Sequence, residues 1–336
     1  DRKISKSDIR KISVFCNVDE DSVIQAIDVD TIYAVPKDLK TNGLDVAVLN
    51  ALGKNTFPKS NLRKWNKVVE RIRKPIGEVT IGVVGKYLDL NDAYKSLFEA
   101  LTHGGISNNV KVNIKNIDTD KLEKNKNKTV FNGLSGILVP GGFGKRGSEG
   151  KIFASKYARE NKIPFFGICF GMQMAVVDVA RNLLEYKSAS SSEFGKTDTP
   201  VIGLLTEWIK DEEIQKRDLQ SEYGGTMRLG SYPAILKKGS KVRNIYGSKK
   251  VNERHRHRYE VNMSFIDDLE RVGLRFVGMS PDGLLPEIVE LKNHPWFIGV
   301  QFHPELKSRP FNPHPLFSSF IKASVKKSKI SGKVKK

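Results

Sequence analysis

The run Ile163-Pro-Phe-Phe-Gly-Ile-Cys-Phe-Gly-Met-Gln-Met-Ala-Val-Val177 decides the fold, because an apolar strand turns at Gly-x-Cys169-x-Gly and continues as an amphipathic helix. Glycines on both sides of Cys169 allow a sharp strand-to-helix corner, the geometry of a nucleophile elbow. Since a helix N-terminus favours thiolate, we expect a thiol presented for attack on a carbonyl carbon. A lone cysteine between glycines is more often a buried small hydrophobe, so a catalytic role also requires a base.

The helix after this corner has an apolar stripe at helical spacing, which should face a sheet and leave Asp178 and Arg181 exposed to solvent. The stripe consists of Met172, Ala175, Val176, Val179 and Leu183.

Strand and helix patterns alternate after Lys74-Pro75, where we place a domain boundary. Strands are predicted at 79–85, 110–117, 136–140 and 163–168, and helices at 94–105, closed by Gly104-Gly105, and at 150–161. Apolar runs at 201–206, 235–236, 274–278 and 285–291 predict an antiparallel extension. The predicted fold class is therefore α/β, with a mostly parallel central sheet covered by helices on both faces.

The flanking segments are less regular. Residues 1–50 contain strand-like runs at Lys11–Phe15 and Asp28–Pro36, and residues 51–77 read as a linker with a helix near Asn61–Arg73. The main domain is predicted at 78–325, ending in a helix from 315 to about 325. Seven lysines and no acid between Lys322 and Lys336 predict a basic disordered tail at 326–336.

Composition excludes several classes of protein. At 336 residues and 39% hydrophobic, the chain can bury a core, and no run is long enough to span a membrane. Two cysteines make no disulfide framework, so we expect a cytoplasmic protein. The net charge of +19 raises RNA binding as a rival function, but the lysine-rich end lacks interleaved aromatic residues, so no nucleic-acid partner is expected.

A second run, Trp296-Phe-Ile-Gly-Val-Gln-Phe-His303-Pro-Glu305, supplies a candidate base. The period of two along a strand would point His303 and Glu305 to one face. Glu305 can orient the imidazole of His303, which can take the Cys169 proton and return it to a leaving amine. A lone histidine on a strand is more often a satisfied core residue, but the joint pattern favours catalysis.

Pro140-Gly-Gly-Phe-Gly144 follows a predicted strand and can supply an oxyanion hole, which we assign to the N–H groups of Gly142 and Phe170. The alternative is a simple tight turn. The chain has no intact phosphate loop, because Ser190 stands where Gly195-Lys-Thr197 would need a glycine. No metal site is predicted, since arginines flank His255 and His257.

These residues resemble the class I glutamine amidotransferases, whose triad is Cys, His and Glu. Further motifs, spread over almost the whole chain, resemble the CTP synthase family within that class. They are Asp28-Val-Asp-Thr-Ile-Tyr, Gly144-Lys-Arg-Gly147, Ser192-Glu-Phe, Gly224-Gly-Thr-Met-Arg-Leu-Gly230, Arg254-His-Arg-His-Arg-Tyr-Glu-Val261 and Asn293-His-Pro-Trp-Phe.

The resemblance implies an L-glutamine site, with Glu193 suited to the α-ammonium group and Arg258 to the α-carboxylate. The implied set is Gly142, Phe170, Gly171, Met172, Gln173, Glu193 and Arg258. Phe170 stands where the family usually has leucine.

The resemblance also implies nucleotide contacts. Arg146 and Gly147 match a lid that responds to GTP, the family's activator. Lys11 matches a lysine contacting UTP or the inhibitor CTP, and Ile27, Asp28 and Val29 match part of the ATP site. The implied complete enzyme is a homotetramer or filament that uses ATP and Mg²⁺ to aminate UTP with ammonia from glutamine. Residues 1–50 would then be the end of the amidoligase domain, and this chain would need no cofactor of its own.

Two other functions stay open. A stand-alone glutaminase or γ-glutamyl hydrolase would share the elbow, and a non-catalytic scaffold or filament subunit would carry a vestigial site. The intact Cys169, His303 and Glu305 count against the scaffold.

Overall fold

The computed structural model describes residues 2–54, 56, 58–86, 92–204 and 227–330. These residues divide into two compact units, Asp1–Pro75 and Ile76–Lys336. The division falls directly after Pro75, at the point where the sequence pattern changes.

The first unit is helical. Its helices are α1 (Lys6–Cys16), α2 (Val35–Thr41), α3 (Leu44–Ala51) and α4 (Arg63–Arg73). The strand predictions at Lys11–Phe15 and Asp28–Pro36 are therefore wrong, whereas the helix near Asn61–Arg73 is confirmed. In α1, the Ser5 side chain caps the first turn, and Asn17 ends the helix in the left-handed conformation. These end signals outweigh the β-branched residues between them.

The second unit contains the remaining elements. Its strands are β1 (Glu78–Gly85), β2 (Lys111–Asp118), β3 (Gly136–Val139), β4 (Phe165–Ile168), β5 (Ala189–Ser191), β6 (Thr199–Leu204), β7 (Arg228–Leu236), β8 (Lys250–His257), β9 (Tyr259–Val261), β10 (Leu274–Met279), β11 (Pro286–Leu291) and β12 (Phe297–Val300). Its helices are α5 (Lys95–Asn108), α6 (Thr119–Asn125), α7 (Ser148–Glu160), α8 (Phe170–Leu183), α9 (Lys241–Tyr246), α10 (Ile266–Arg271) and α11 (Pro315–Ile330).

Nine strands form one mixed sheet in the order β2-β1-β3-β4-β12-β11-β10-β7-β8. The pairs from β2 to β12 are parallel. The pairs from β12 to β8 are antiparallel. Both the parallel centre and the antiparallel extension are thus confirmed. The run at 201–204 belongs instead to a separate three-stranded sheet, β5-β6-β9, and residues 205–206 lie outside the described residues.

Two apolar cores lie on opposite faces of the large sheet. One includes residues of α7 and α8 and the other residues of α5 and α11, so helices cover both faces as predicted. Successive residues of β3 alternate between them: Ile137 and Val139 belong to the first core and Leu138 to the second.

Several helix details differ from the sequence predictions, among them Leu183, which is exposed, and Arg181, which is half-buried. Helix α5 continues past Gly104-Gly105 to Asn108, because the two glycines allow close packing against Phe317 and Val110. Asp178 is buried, since the Arg159 guanidinium reaches its carboxylate at 3.0 Å.

Helix α11 includes residues 326–330, which the composition predicts to be disordered. Ser328 is held there by a 3.0 Å hydrogen bond with Ser135. The remainder of the predicted tail lies outside the described residues.

Candidate active site

Cys169 sits at the corner between β4 and α8 in a conformation that side chains rarely adopt, with φ at +51°. A Cβ on Gly171 would collide with the carbonyl oxygen of Val139, and one on Gly167 would lie 2.8 Å from Gly171. The corner therefore closes only because both flanking residues are glycine. Such strained backbone at a strand-to-helix corner is typical of a nucleophile elbow.

The thiol is less accessible than the sequence suggests, because Cys169 is only 2% exposed. The Gln301 side-chain amide lies 3.8 Å from its sulfur and donates toward it. Gln301 follows the end of β12 and was not predicted as a site residue. Its position after a strand that pairs with the elbow strand was the available signal.

His303 reaches the same end of the sheet from β12, the parallel neighbour of β4. Its backbone N–H bonds the Arg254 carbonyl at 2.7 Å, and its Nδ1 lies 2.7 Å from Glu305 Oε1. The predicted pair of His303 and Glu305 is thus present, but it does not arise from the period of two along a strand. The strand ends at Val300, and Glu305 lies in a short 3₁₀ helix that turns its carboxylate back to the imidazole.

The electrostatics of His303 suit proton transfer. Burial disfavours the charged imidazole, but the neighbouring Cys169 and Glu305 side chains outweigh burial and raise the pKa of His303 to about 10. Its Nε2 atom is buried and has no well-aligned hydrogen-bond partner among the described residues. Such loose alignment is common in catalytic pairs that tighten only around substrate.

The glycine loop after β3 passes directly against this pair. A Cβ built on Gly141 would lie 3.0 Å from His303 Cε1 and 3.7 Å from Cys169 Cβ. Two lysines hold the loop from behind. The Lys151 amine donates to the carbonyl oxygens of Pro140 and Gly141, at 2.7 and 3.3 Å. The Lys86 amine donates to those of Phe143 and Gly144, at 2.7 and 3.1 Å. The oxyanion hole at Gly142 and Phe170 remains a prediction that this proximity favours.

The residues predicted to hold glutamine occupy varied environments. Glu193 is half-buried and accepts a 2.6 Å hydrogen bond from the Gly144 N–H. Burial raises the pKa of this carboxyl, opposed by the Gly144 hydrogen bond and by Lys86. Arg258 occupies the bend between β8 and β9 and is half-buried.

Two further members of that set point inward. The Gln173 amide donates to the Tyr259 carbonyl at 2.8 Å and to Gln301 at 3.2 Å. Met172 is fully buried, and a Cβ on Gly299 would lie 2.7 Å from its side chain. Both side chains therefore support the elbow from inside, and the ring of Phe170 packs edge-on against Phe194 at 5.9 Å.

The residues predicted to contact nucleotides differ in exposure, and Gly147 is buried. Arg146 is 65% exposed and approaches Asp120 at 3.4 Å, and Gly147 adopts φ +71° just before α7. In the first unit, Lys11 is 79% exposed on α1. Asp28 is also exposed, whereas Ile27 and Val29 are half-buried.

A buried charge network lies near the site and is only partly evident from the sequence. The side chains of β8 alternate strictly between exposed and buried, which places His255 and His257 inside and the flanking arginines outside. Arg228 bridges Glu260 at 2.9 Å and Glu287 at 2.8 Å. Burial lowers the pKa of His255 to about 3 and raises that of Glu260 to about 8. The period-two alternation of the Arg-His-Arg-His motif was the sequence signal that His255 and His257 face the interior. Residues 224–226 of the Gly-Gly-Thr-Met-Arg-Leu-Gly motif lie outside the described residues.

No group of three or more potential ligands is arranged to hold a metal ion among the described residues. No helix in the described ranges is both long and apolar enough to cross a membrane.

Comparison with known proteins now identifies the family. Residues 89–323 match the model for glutamine amidotransferase class-I, and residues 1–54 match the model for the CTP synthase N-terminus. The solved structure of the Trypanosoma brucei CTPS glutaminase domain with bound acivicin is 36% identical, with a TM-score of 0.67 over 74% of this chain and 94% of that one. The chain belongs to the CTP synthase family.

Curated members of the family are still more similar in sequence. The CTP synthases of Rhizobium johnstonii and Brucella abortus are each 58% identical over 330 residues, which is 98% of this chain. The chain spans 61% of the length of these relatives.

Proposed function

We propose that the second unit hydrolyses L-glutamine through a γ-glutamyl thioester on Cys169. The observation that carries this proposal is the convergence of a strained cysteine elbow with a His303–Glu305 pair joined at 2.7 Å. The class-I amidotransferase match over residues 89–323 supports the same reaction.

In this reaction His303 takes the proton of the Cys169 thiol, and the sulfur attacks the side-chain amide carbon of glutamine. Because its pKa is raised to about 10, His303 holds that proton at neutral pH and delivers it to the departing ammonia. The neutral imidazole then activates a water molecule that cleaves the thioester to glutamate. Glu305 holds the imidazole orientation and stabilises its charged form.

The substrate contacts follow from charge. The Glu193 carboxylate is suited to the α-ammonium group and the Arg258 guanidinium to the α-carboxylate. The N–H groups of Gly142 and Phe170 would stabilise the tetrahedral oxyanion. Gly171, Met172 and Gln173 lie in the first turn of α8 and would complete the glutamine site.

In the whole protein, the ammonia would aminate UTP to CTP with ATP and Mg²⁺, as the 58% identity to CTP synthases supports. GTP would activate through the loop containing Arg146 and Gly147. UTP or inhibitory CTP would contact Lys11, and ATP would contact residues 27–29. We further propose a homotetramer or filament and a cytoplasmic location, in keeping with two free cysteines.

Chemical labelling tests the glutaminase proposal. A diazo-ketone analogue of glutamine should modify Cys169, and Cys169→Ala should abolish glutamine hydrolysis while the fold persists. Cys16→Ala removes the chain's other cysteine, which is exposed, and should leave both hydrolysis and labelling intact. Labelling of Cys16 with Cys169 unmodified would refute the assignment.

A further inference from the structure

Lys151 is a lysine whose burial the triad does not explain. It lies on α7 with no exposed surface. Burial, followed by the nearby charge of Lys86, lowers the pKa of Lys151 to about 7 against an opposing effect of Cys169. Burying an amine is costly, so its contacts should compensate for the lost hydration.

Those contacts are backbone carbonyls of the glycine loop. The Lys151 amine donates to the Pro140 carbonyl at 2.7 Å and to the Gly141 carbonyl at 3.3 Å. The Gly141 carbonyl and the Gly142 N–H belong to the same planar peptide group and point in opposite directions. An amine that fixes the carbonyl from behind therefore also fixes the direction of the N–H.

The same loop faces the reacting groups, since a Cβ on Gly141 would lie 3.0 Å from His303 Cε1. The Lys151 amine also lies 5.0 Å from the ring centre of Phe170, the residue after the nucleophile. One buried amine thus lies beside both segments expected to donate to the oxyanion.

We propose that Lys151 is a positioning residue that orients the Gly142 N–H for the oxyanion of the tetrahedral intermediate. It does not touch the substrate. The inference rests on the proposed glutaminase function. The hydrogen bond has a second effect, since a carbonyl that accepts a hydrogen bond polarises its peptide and strengthens the opposite N–H as a donor.

The test replaces Lys151 by methionine, which has similar length but no donor. Misplacing an oxyanion donor costs on the order of 100-fold, so kcat for glutamine should fall about 100-fold with KM little changed. The burst of p-nitrophenolate from p-nitrophenyl acetate, which also builds an oxyanion on Cys169, should fall in parallel. Alkylation of Cys169 by iodoacetamide should keep its rate, because displacement at a saturated carbon forms no oxyanion.

Two variants serve as controls. Lys156→Met removes an exposed lysine from the same helix and should leave every rate unchanged. Lys151→Arg keeps a hydrogen-bond donor and should recover part of the acylation rate. If Lys151→Met does not fold, Lys151→Arg takes its place in these assays.

The comparison of acylation with alkylation decides the result. Unchanged acylation, or alkylation that falls as much as acylation, would overturn the proposal, since the second result would mean that Lys151 acts on the sulfur. The ester burst separates this proposal from the glutaminase function: a wild-type chain that reacts with the ester but never hydrolyses glutamine refutes only the latter.

Discussion

Replacing Glu305 by glutamine should show how much of the basicity of His303 comes from its carboxylate partner. The Nδ1–Oε1 distance is 2.7 Å, and the two side chains are only 16% and 13% exposed, so solvent screens the pair little. A hydrogen bond to a charged group is worth about 1.5 to 3 kcal/mol, and about 1.4 kcal/mol corresponds to one pKa unit. The His303 pKa should therefore fall by about one to two units from its value of about 10.

The expected kinetic effect has a definite sign. Departing ammonia needs a protonated His303, so the alkaline limb of the kcat profile should move to lower pH by the same one to two units, with kcat reduced roughly 10- to 100-fold. Glutamine hydrolysis across pH 6 to 10 gives the profile, and NMR titration of labelled histidine, assigned with His303→Ala, gives the pKa. Glu160→Gln, an exposed carboxylate on α7, is the control. An unmoved His303 pKa in Glu305→Gln would refute the reasoning.

Three further outcomes are expected. Asp178→Ala removes the carboxylate that meets the buried Arg159 guanidinium at 3.0 Å, leaves Arg159 only the 4.0 Å approach of Glu160, and should cost about 3 to 5 kcal/mol in urea unfolding. The double variant Asp178→Leu/Arg159→Met should recover most of this loss; equal losses would contradict the pairing. Burial is the main cause that lowers the pKa of His294 to about 4, which is below the value in the unfolded chain. Below about pH 6.5 the unfolded state therefore binds more protons than the folded state. The contribution of His294 to the free energy of unfolding is present above that pH and should fall by roughly 2 kcal/mol from pH 7 to 5. His294→Gln should make the free energy of unfolding less dependent on pH over this range. Arg258→Ala should raise the KM for glutamine about 10- to 100-fold, with only partial rescue by lysine, and an unchanged KM would remove Arg258 from the site.

The elbow was predictable because its signal is local. Gly167 and Gly171 flank Cys169 in sequence, and the same two glycines relieve the close backbone contacts in the structure. The centre of the parallel sheet was predictable for a similar reason, since β3, β4 and β12 are short continuous apolar runs.

The failures have physical causes that a local pattern does not contain. The sequence around Phe15 is rich in β-branched and aromatic residues, yet capping by Ser5 makes it helical, with the Phe15 ring 92% exposed. Asp178 and Lys151 look like surface residues, but partners distant in sequence hold them inside. Such pairings depend on the tertiary arrangement of α7, α8 and the glycine loop.

The covalent intermediate tests the central claim most directly. The wild-type chain is mixed with glutamine, quenched in acid within one turnover, digested and examined by mass spectrometry. The proposed mechanism predicts that the peptide containing Cys169 gains the mass of one γ-glutamyl group and that Cys169→Ala gains none. Glutamine hydrolysis at an unchanged rate in Cys169→Ala, or a γ-glutamyl group found on another residue, would contradict it.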